Sequence, residues 1–169
     1  MTGPRRLSYW IVPCAEHSNR YFDVISRLAK INLSPAFAPH VSLASIEGEQ
    51  PDMDPCLKIL SGLTVKPIEI DMTESFTMSM FVRLERHPAL LQARDFMMAQ
   101  PGAVSSRSFD PHMSLCYGAP PAGAADWPEI KALLDHPIRF DRVHAVAIPP
   151  KVETDDDVRG WNELLSYPF

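Results

Sequence analysis

Hydrophobic and polar positions alternate with two different periods along the chain, and each period predicts a type of element. The β-rich run from Leu7 to Val12 predicts a first strand. Apolar residues then recur every three or four positions from Tyr21 to Ile31, which is the spacing of one face of a helix that begins near Ser18. Two runs of alternating residues, at 68–72 and 76–84, predict a β-hairpin.

Prolines and capping residues set the bounds of the other predicted elements. Proline fits the first turn of a helix because its nitrogen has no hydrogen to donate, and glycine commonly follows the last turn. Further helices are expected from Asp54 to Gly62, from Pro88 to Gln100 and from Asp126 to His136, further strands at 138–148 and near 158–166, and an exposed acidic loop from Val152 to Asp157. Strands mixed with hairpins and helices, without a strict βαβα order, predict an α+β fold with antiparallel sheets.

Composition narrows the class of protein. A chain of 169 residues can bury one hydrophobic core, so we expect residues 1–169 to form a single domain and a monomer. The net charge of −5 argues against binding of long nucleic acid, because proteins that do so neutralise many phosphates. No apolar run approaches the roughly 20 residues that span a bilayer, and the first residues do not resemble a signal peptide. We therefore expect a cytoplasmic protein that binds no membrane.

An internal repeat contains the candidate chemistry. The segment Phe37-Ala38-Pro39-His40-Val41-Ser42-Leu43 recurs 72 residues later as Phe109-Asp110-Pro111-His112-Met113-Ser114-Leu115, with five of the seven positions identical. Alternate side chains of a strand point to opposite faces, so each copy is expected to place its histidine and serine on one face and its apolar residues on the other. A separation close to half of the chain predicts two related lobes.

Two lobes packed around a pseudo-two-fold axis would place antiparallel sheets along a central groove, with the helices outside. The groove would bring His40 and His112 together with Ser42 and Ser114. One imidazole could then deprotonate water while the other protonates a leaving oxygen, because histidine titrates near neutral pH. The two serine hydroxyls could donate hydrogen bonds to phosphate oxygens without a metal ion.

The doubled motif resembles the signature of the two-histidine phosphoesterase superfamily, which is a pair of H-x-[ST]-x motifs. The second copy is most similar to that of the cyclic nucleotide phosphodiesterases of plants and fungi. These enzymes open 2′,3′-cyclic nucleotides and ADP-ribose 1″,2″-cyclic phosphate, a by-product of tRNA splicing. The resemblance implies that His40 is the proton donor, that His112 is the proton acceptor, and that Ser42 and Ser114 bind the phosphate.

The same resemblance implies that Tyr117 contacts the phosphate. Tyr117 lies at an odd offset from His112, so a regular strand would point the two side chains to opposite faces. A bulge or the end of the strand near Gly118 is needed to redirect the tyrosine. The expected partner is a small cyclic nucleotide or ADP-ribose cyclic phosphate, and no cofactor is implied.

Other interpretations of these residues stay open at this stage. A metal site needs three or four ligands, and only Asp110 lies near either motif, so no metal is expected. Alternative functions are an RNA-end or 2′–5′ RNA phosphodiesterase or ligase of the same superfamily, and a non-catalytic nucleotide-binding module. Arg83 is a weaker candidate for a second phosphate, and Cys116 could line the groove or simply pack. Candidates for stacking on a base are Tyr9, Trp10, Phe76, Phe81 and Trp161.

Overall fold

The chain forms two antiparallel β-sheets, each of which contains one copy of the repeat. The computed structural model describes residues 6–105 and 108–169. The first sheet has the order β2-β1-β7-β3, with β8 also paired to β7, and consists of β1 (Arg6–Pro13), β2 (Val41–Glu47), β3 (Thr64–Val65), β7 (Ile138–Ile148) and β8 (Asn162–Pro168). The second sheet has the order β4-β5-β6 and consists of β4 (Pro67–Met72), β5 (Met80–Leu84) and β6 (His112–Cys116).

Each of the two longest helices packs on the sheet that does not contain the strand before it. The helices are α1 (Ala15–Asn32), α2 (Asp54–Leu60), α3 (Pro88–Met98), α4 (Pro128–Lys131) and α5 (Asp155–Arg159). Helix α1 follows β1 in sequence but packs on β6, and α3 follows β5 but packs on β2. One continuous hydrophobic core therefore contains residues of both sheets. None of the helices in the described part of the chain is long and apolar enough to cross a membrane.

The predicted α+β class with antiparallel sheets and helices is confirmed, and β7 has the predicted bounds. Helix α1 begins earlier than expected, at Ala15, because Cys14 and not Ser18 is its N-cap residue. The strand predicted at 76–84 is wrong over its first residues. Phe76–Met78 form a turn of 3₁₀ helix, and β5 begins at Met80.

The prediction for the segment before the last strand is also wrong. Instead of an exposed loop running into a strand at 158, Asp155–Arg159 form α5 and β8 begins at Asn162. Thr154 caps this helix by accepting a hydrogen bond from the Asp157 amide at 3.3 Å, while the Asp157 carboxylate accepts one from the Thr154 amide at 2.9 Å. This reciprocal pair is a capping box, which explains a helix in so short and acidic a segment.

Candidate active site

Both motif histidines are held by the backbone two residues earlier. His40 Nδ1 lies 2.7 Å from the carbonyl oxygen of Ala38, and His112 Nδ1 lies 2.7 Å from that of Asp110. A carbonyl oxygen only accepts hydrogen bonds, so Nδ1 carries the hydrogen in both rings, and the neutral imidazole has its lone pair on Nε2. The proline between tether and histidine restricts the backbone in both copies, so the same local sequence builds the same tether twice.

All five residues predicted for the site line one cavity of about 300 Å³. They are His40, Ser42, His112, Ser114 and Tyr117. The two histidines are close enough for the charge of one to affect the pKa of the other. The cavity is therefore lined by residues of both copies of the repeat, as the predicted pseudo-symmetric arrangement requires.

The two motif serines differ in how they are held. The side chain of Ser42 is exposed, whereas Ser114 is buried and its hydroxyl donates to the carbonyl oxygen of Thr77 at 2.6 Å. Ser114 also lies close enough to Tyr117 for its side chain to lower the pKa of the phenol, against the larger effect of burial. Ser42 has no hydrogen-bond partner among the described residues, so its hydroxyl can turn towards a ligand. Ser114 must exchange its bond to Thr77 for one to the ligand.

Tyr117 faces the cavity because the strand ends just before it. Strand β6 finishes at Cys116, and Gly118 adopts a φ of +76°, in the left-handed region that favours glycine. The ring of Tyr117 stacks on that of Phe37, the first residue of the other copy of the repeat, with centroids 4.0 Å apart. Burial raises the pKa of Tyr117 above its usual value, so the phenol is a hydrogen-bond donor at neutral pH.

An aromatic residue on the neighbouring strand covers each histidine, which the sequence reasoning did not predict. Trp10 of β1 pairs with Ser42 and stacks on His40, with ring centroids 3.7 Å apart and planes 11° apart. Phe81 of β5 pairs with Ser114 and meets His112 edge-on, at 5.1 Å and 62°.

A signal for this pair was present in the sequence. Ser8-Tyr9-Trp10-Ile11 and Ser79-Met80-Phe81-Val82 share a serine, an aromatic residue and a β-branched residue, at nearly the same offset as the histidines. Both segments also show a shift of strand register, between Tyr9 and Trp10 and between Met80 and Phe81. The internal repeat therefore extends to the neighbouring strand in each half.

The residues predicted as candidates for stacking on a base lie in different parts of the structure. Trp10 and Trp161 line the cavity of the histidines, whereas Tyr9 is fully buried and Phe76 lines a neighbouring cavity. The guanidinium of Arg83 is paired with three carboxylates, Glu69 at 2.5 Å, Asp71 at 2.7 Å and Asp110 at 3.2 Å. These ion pairs argue against Arg83, the weaker candidate, as a ligand of a second phosphate.

Burial favours the neutral form of both imidazoles. Burial lowers the pKa of His40 to about 4, and burial also lowers the pKa of His112. A neutral pair contains two bases and no acid. A phosphate anion placed between the rings would favour the charged form of an imidazole, so one ring can take up a proton together with the ligand.

Cys116, directly after the second copy of the repeat, is a buried thiol that packs in the core. Asn32 donates a hydrogen bond to the sulfur of Cys116, and burial raises the pKa of this thiol. Across residues 6–105 and 108–169, no three His, Cys, Asp or Glu side chains come together as a metal-binding group. Chemistry without a metal stays a prediction that needs a solution test.

Comparison with solved structures identifies the fold. The chain resembles a crystal structure of a phosphoesterase with a TM-score of 0.54 and 16% identity, over 98% of both chains. It also resembles E. coli LigT complexed with NADP⁺, with a TM-score of 0.53 and 17% identity, and complexed with 3′-AMP, with a TM-score of 0.50 and 16% identity, again over 98% of both chains. No family model and no curated protein matches the sequence. At this identity the likeness establishes a shared fold.

Proposed function

We propose that the protein is a metal-independent phosphodiesterase that hydrolyses small cyclic phosphates, namely 2′,3′-cyclic nucleotides or ADP-ribose 1″,2″-cyclic phosphate. The observation that carries this proposal is the pair of imidazoles tethered through Nδ1 and lining one cavity with two serine hydroxyls. This arrangement offers two proton-transfer groups and two neutral hydrogen-bond donors to one phosphate.

The proposed reaction is an attack by water on the cyclic phosphate. Nε2 of His112 accepts a proton from water while the water oxygen forms a bond to phosphorus. The bond from phosphorus to one ribose oxygen breaks, and Nε2–H of His40 gives its proton to that oxygen. Ser42 and Ser114 donate hydrogen bonds to the non-bridging oxygens. The product is a ring-opened phosphomonoester, and solvent returns the proton from His112 to His40.

The assignment of His40 as the acid has support from its surroundings. The indole of Trp10 lies parallel to the imidazole, and the face of an aromatic ring stabilises a cation placed over it. Burial alone disfavours the imidazolium of His40, so the assignment requires the substrate anion to be present when the ring is protonated.

The ligands of the structural neighbours are compatible with this substrate class. LigT is complexed with NADP⁺ in one structure and with 3′-AMP in another, and both ligands are nucleotides. The cavity of the histidines is also lined by Trp10, Tyr117 and Trp161, whose rings could contact a base or ribose. A small nucleotide therefore suits both the polar and the aromatic lining.

The decisive experiment is hydrolysis of 2′,3′-cyclic AMP by the purified protein in excess chelator. We expect turnover to survive the chelator and its rate to follow a bell-shaped pH profile, because one imidazole must be neutral and the other protonated. His136→Ala serves as a control, since His136 is an exposed histidine outside the site. Activity that is lost with chelator and restored by a divalent metal would contradict the proposal.

The same assay distinguishes a small cyclic nucleotide from an RNA end as the substrate. A cyclic mononucleotide and an oligonucleotide ending in a 2′,3′-cyclic phosphate are compared at equal concentration. Similar values of kcat/KM support a small-molecule enzyme, and a much higher value for the oligonucleotide supports an RNA-end enzyme. Tight binding of nucleotides without any turnover would indicate the non-catalytic module.

A further inference from the structure

The side chain of Trp161 lies between two cavities. On one side is the cavity of the histidines, and on the other is a cavity of about 410 Å³. Trp10 and Trp161 line both of them. The rest of the second lining is mostly apolar and includes Phe37, with Arg159 and Glu163 as its charged members. The indole of Trp161 therefore forms part of the wall between the two cavities.

Four aromatic rings surround the indole of Trp161 and are steeply inclined to it. The ring centroids lie 4.9 Å away for Trp10, 5.7 Å for Tyr117, 6.0 Å for His40 and 6.4 Å for Phe37, with the planes inclined by 70° to 81°. Phe37 and His40 belong to the first copy of the repeat, and Tyr117 follows the second. Trp161 therefore adjoins residues of both halves of the site.

The indole N–H of Trp161 is buried and has no hydrogen-bond partner in the described part of the chain. A buried donor without an acceptor destabilises a protein, and most buried polar groups are paired. Trp10 shows the usual state in the same cavity, because its N–H donates to the hydroxyl of Ser8 at 2.8 Å. The hydroxyl of Tyr9 is also unpaired, but Tyr9 lies in the hydrophobic core. Trp161 therefore brings an unsatisfied donor to the edge of the candidate active site.

A rotation of the side chain would bring this N–H to an acceptor in the cavity. The backbone of Trp161 is held, since its amide donates to the carbonyl oxygen of Val158 at 3.2 Å. Cavities of about 300 Å³ and 410 Å³ on its two sides leave room for the ring to turn. Side-chain rotamer changes of this kind are common at binding sites and need no movement of the backbone. A ligand acceptor would then satisfy the donor.

We propose that Trp161 is a substrate-binding residue, whose indole N–H turns into the cavity of the histidines and donates a hydrogen bond to an acceptor atom of the nucleoside. This inference rests on the proposed function, in which Ser42 and Ser114 already supply donors to the phosphate. The nucleoside is therefore the part of the substrate that still needs a donor. Its base and ribose offer oxygen and nitrogen acceptors, and the aromatic and apolar lining beside Trp161 suits their flat rings.

The first test observes the indole N–H groups directly by NMR. The chain has three tryptophans, and Trp127→Phe and Trp161→Phe assign their resonances. We expect 3′-AMP to move the Trp161 N–H proton to higher chemical shift, as formation of a hydrogen bond does, and inorganic phosphate to leave it in place. 3′-UMP should act in the same direction, which separates a hydrogen bond from the ring current of adenine. Trp127, which lies beside Arg27, is the internal control and should not respond.

The second test removes the N–H and keeps the ring. Replacement of Trp161 by 3-benzothienylalanine substitutes sulfur for the N–H in a ring system of the same shape. We expect the affinity for 3′-AMP, measured by calorimetry, to fall about tenfold, the effect of one hydrogen bond, and the affinity for inorganic phosphate to stay unchanged. The Tm without ligand should rise, because the unpaired buried donor is gone. The same replacement at Trp127 is the matched control and should leave both affinities unchanged.

The outcomes distinguish this inference from the proposed function. Turnover of 2′,3′-cyclic AMP with an unmoved Trp161 resonance, or with full affinity for 3′-AMP in the benzothienyl variant, overturns the inference and leaves the proposed function standing. A lower Tm of that variant, as expected if the N–H bonds to the face of a neighbouring ring, also overturns it. An equal response to inorganic phosphate overturns the assignment to the nucleoside. The expected response and loss of affinity without turnover of any substrate support the inference and overturn the proposed function. Absence of nucleotide binding overturns both.

Discussion

The two halves of the molecule use one backbone design for their histidines and surround them differently. In both halves a proline precedes the histidine, and a carbonyl two residues earlier accepts from Nδ1. The ring of Trp10 lies flat on His40, whereas the ring of Phe81 is inclined by 62° to that of His112. The backbone therefore provides two equivalent bases, and the neighbouring side chains make them chemically distinct.

The two serines also differ in their burial and in their hydrogen bonds. Ser42 is exposed beside His40, while Ser114 is buried and bonded to Thr77 beside His112. His40 is therefore the more buried histidine, and its neighbour Ser42 is the more exposed serine. A symmetric repeat can in this way produce an acid on one side of a phosphate and a base on the other. The following four predictions test that difference.

The largest expected effect comes from the histidines themselves. His40→Ala and His112→Ala should each lower kcat for a cyclic phosphate by about 10² to 10⁴, the usual contribution of a positioned acid or base. The double variant should lose far less than the product of the two losses, because both groups act in one step. Wild-type turnover in either single variant would show that this half of the repeat is structural.

The second largest loss of activity is expected from the serines. Ser42→Ala and Ser114→Ala should each lower kcat by about 10² to 10³, by analogy with the loss of one oxyanion donor. Tyr117→Phe separates two roles for the tyrosine in the same assay. If Tyr117 acts by holding Ser114, its loss has no further effect in the Ser114→Ala background; if it contacts the phosphate directly, the loss persists there.

The third prediction concerns stability against pH. The pKa of His40 is lowered from 6.5 to about 4 in the folded protein, so the unfolded chain binds its proton more readily. The stability due to neutral His40 is present above pH 6.5 and is lost as pH falls towards 4, an effect of about 3 kcal/mol. Denaturant unfolding from pH 7 to pH 4 should show this slope, and His40→Gln should flatten it. An unchanged slope in that variant would contradict the burial of His40.

The smallest effect is expected from the aromatic neighbours. Trp10→Leu removes the π face over His40 and should move the alkaline limb of the pH profile to lower pH by about half a unit to one unit, because the imidazolium loses stabilisation. Phe81→Leu is the matched change in the other half, where the two rings are inclined by 62° and not stacked, so a smaller displacement is expected. Equal displacement of the alkaline limb in both variants would remove the distinction between the halves.

The sequence predicted much of the fold because its strong signals are local. The run 138–148 is bounded by proline on both sides, and it forms β7 as predicted. The strand predicted from Phe76 failed because alternation continues through residues that the turn after β4 uses for a 3₁₀ helix. Helix α5 was missed because its capping box uses aspartate at the position where glutamate or glutamine is usual.

Some properties of the site depend on local sequence, and others depend on contacts between residues that are distant in the chain. By itself the sequence determined the tether of each histidine, since proline and a carbonyl two residues away are local features, and the repeat marked both copies. Tertiary structure alone decided which ring covers each histidine, which hydroxyl is already bonded, and that Arg83 is paired with three carboxylates. These properties arise between residues distant in the chain, where burial and neighbouring charges, rather than backbone preferences, set the chemistry.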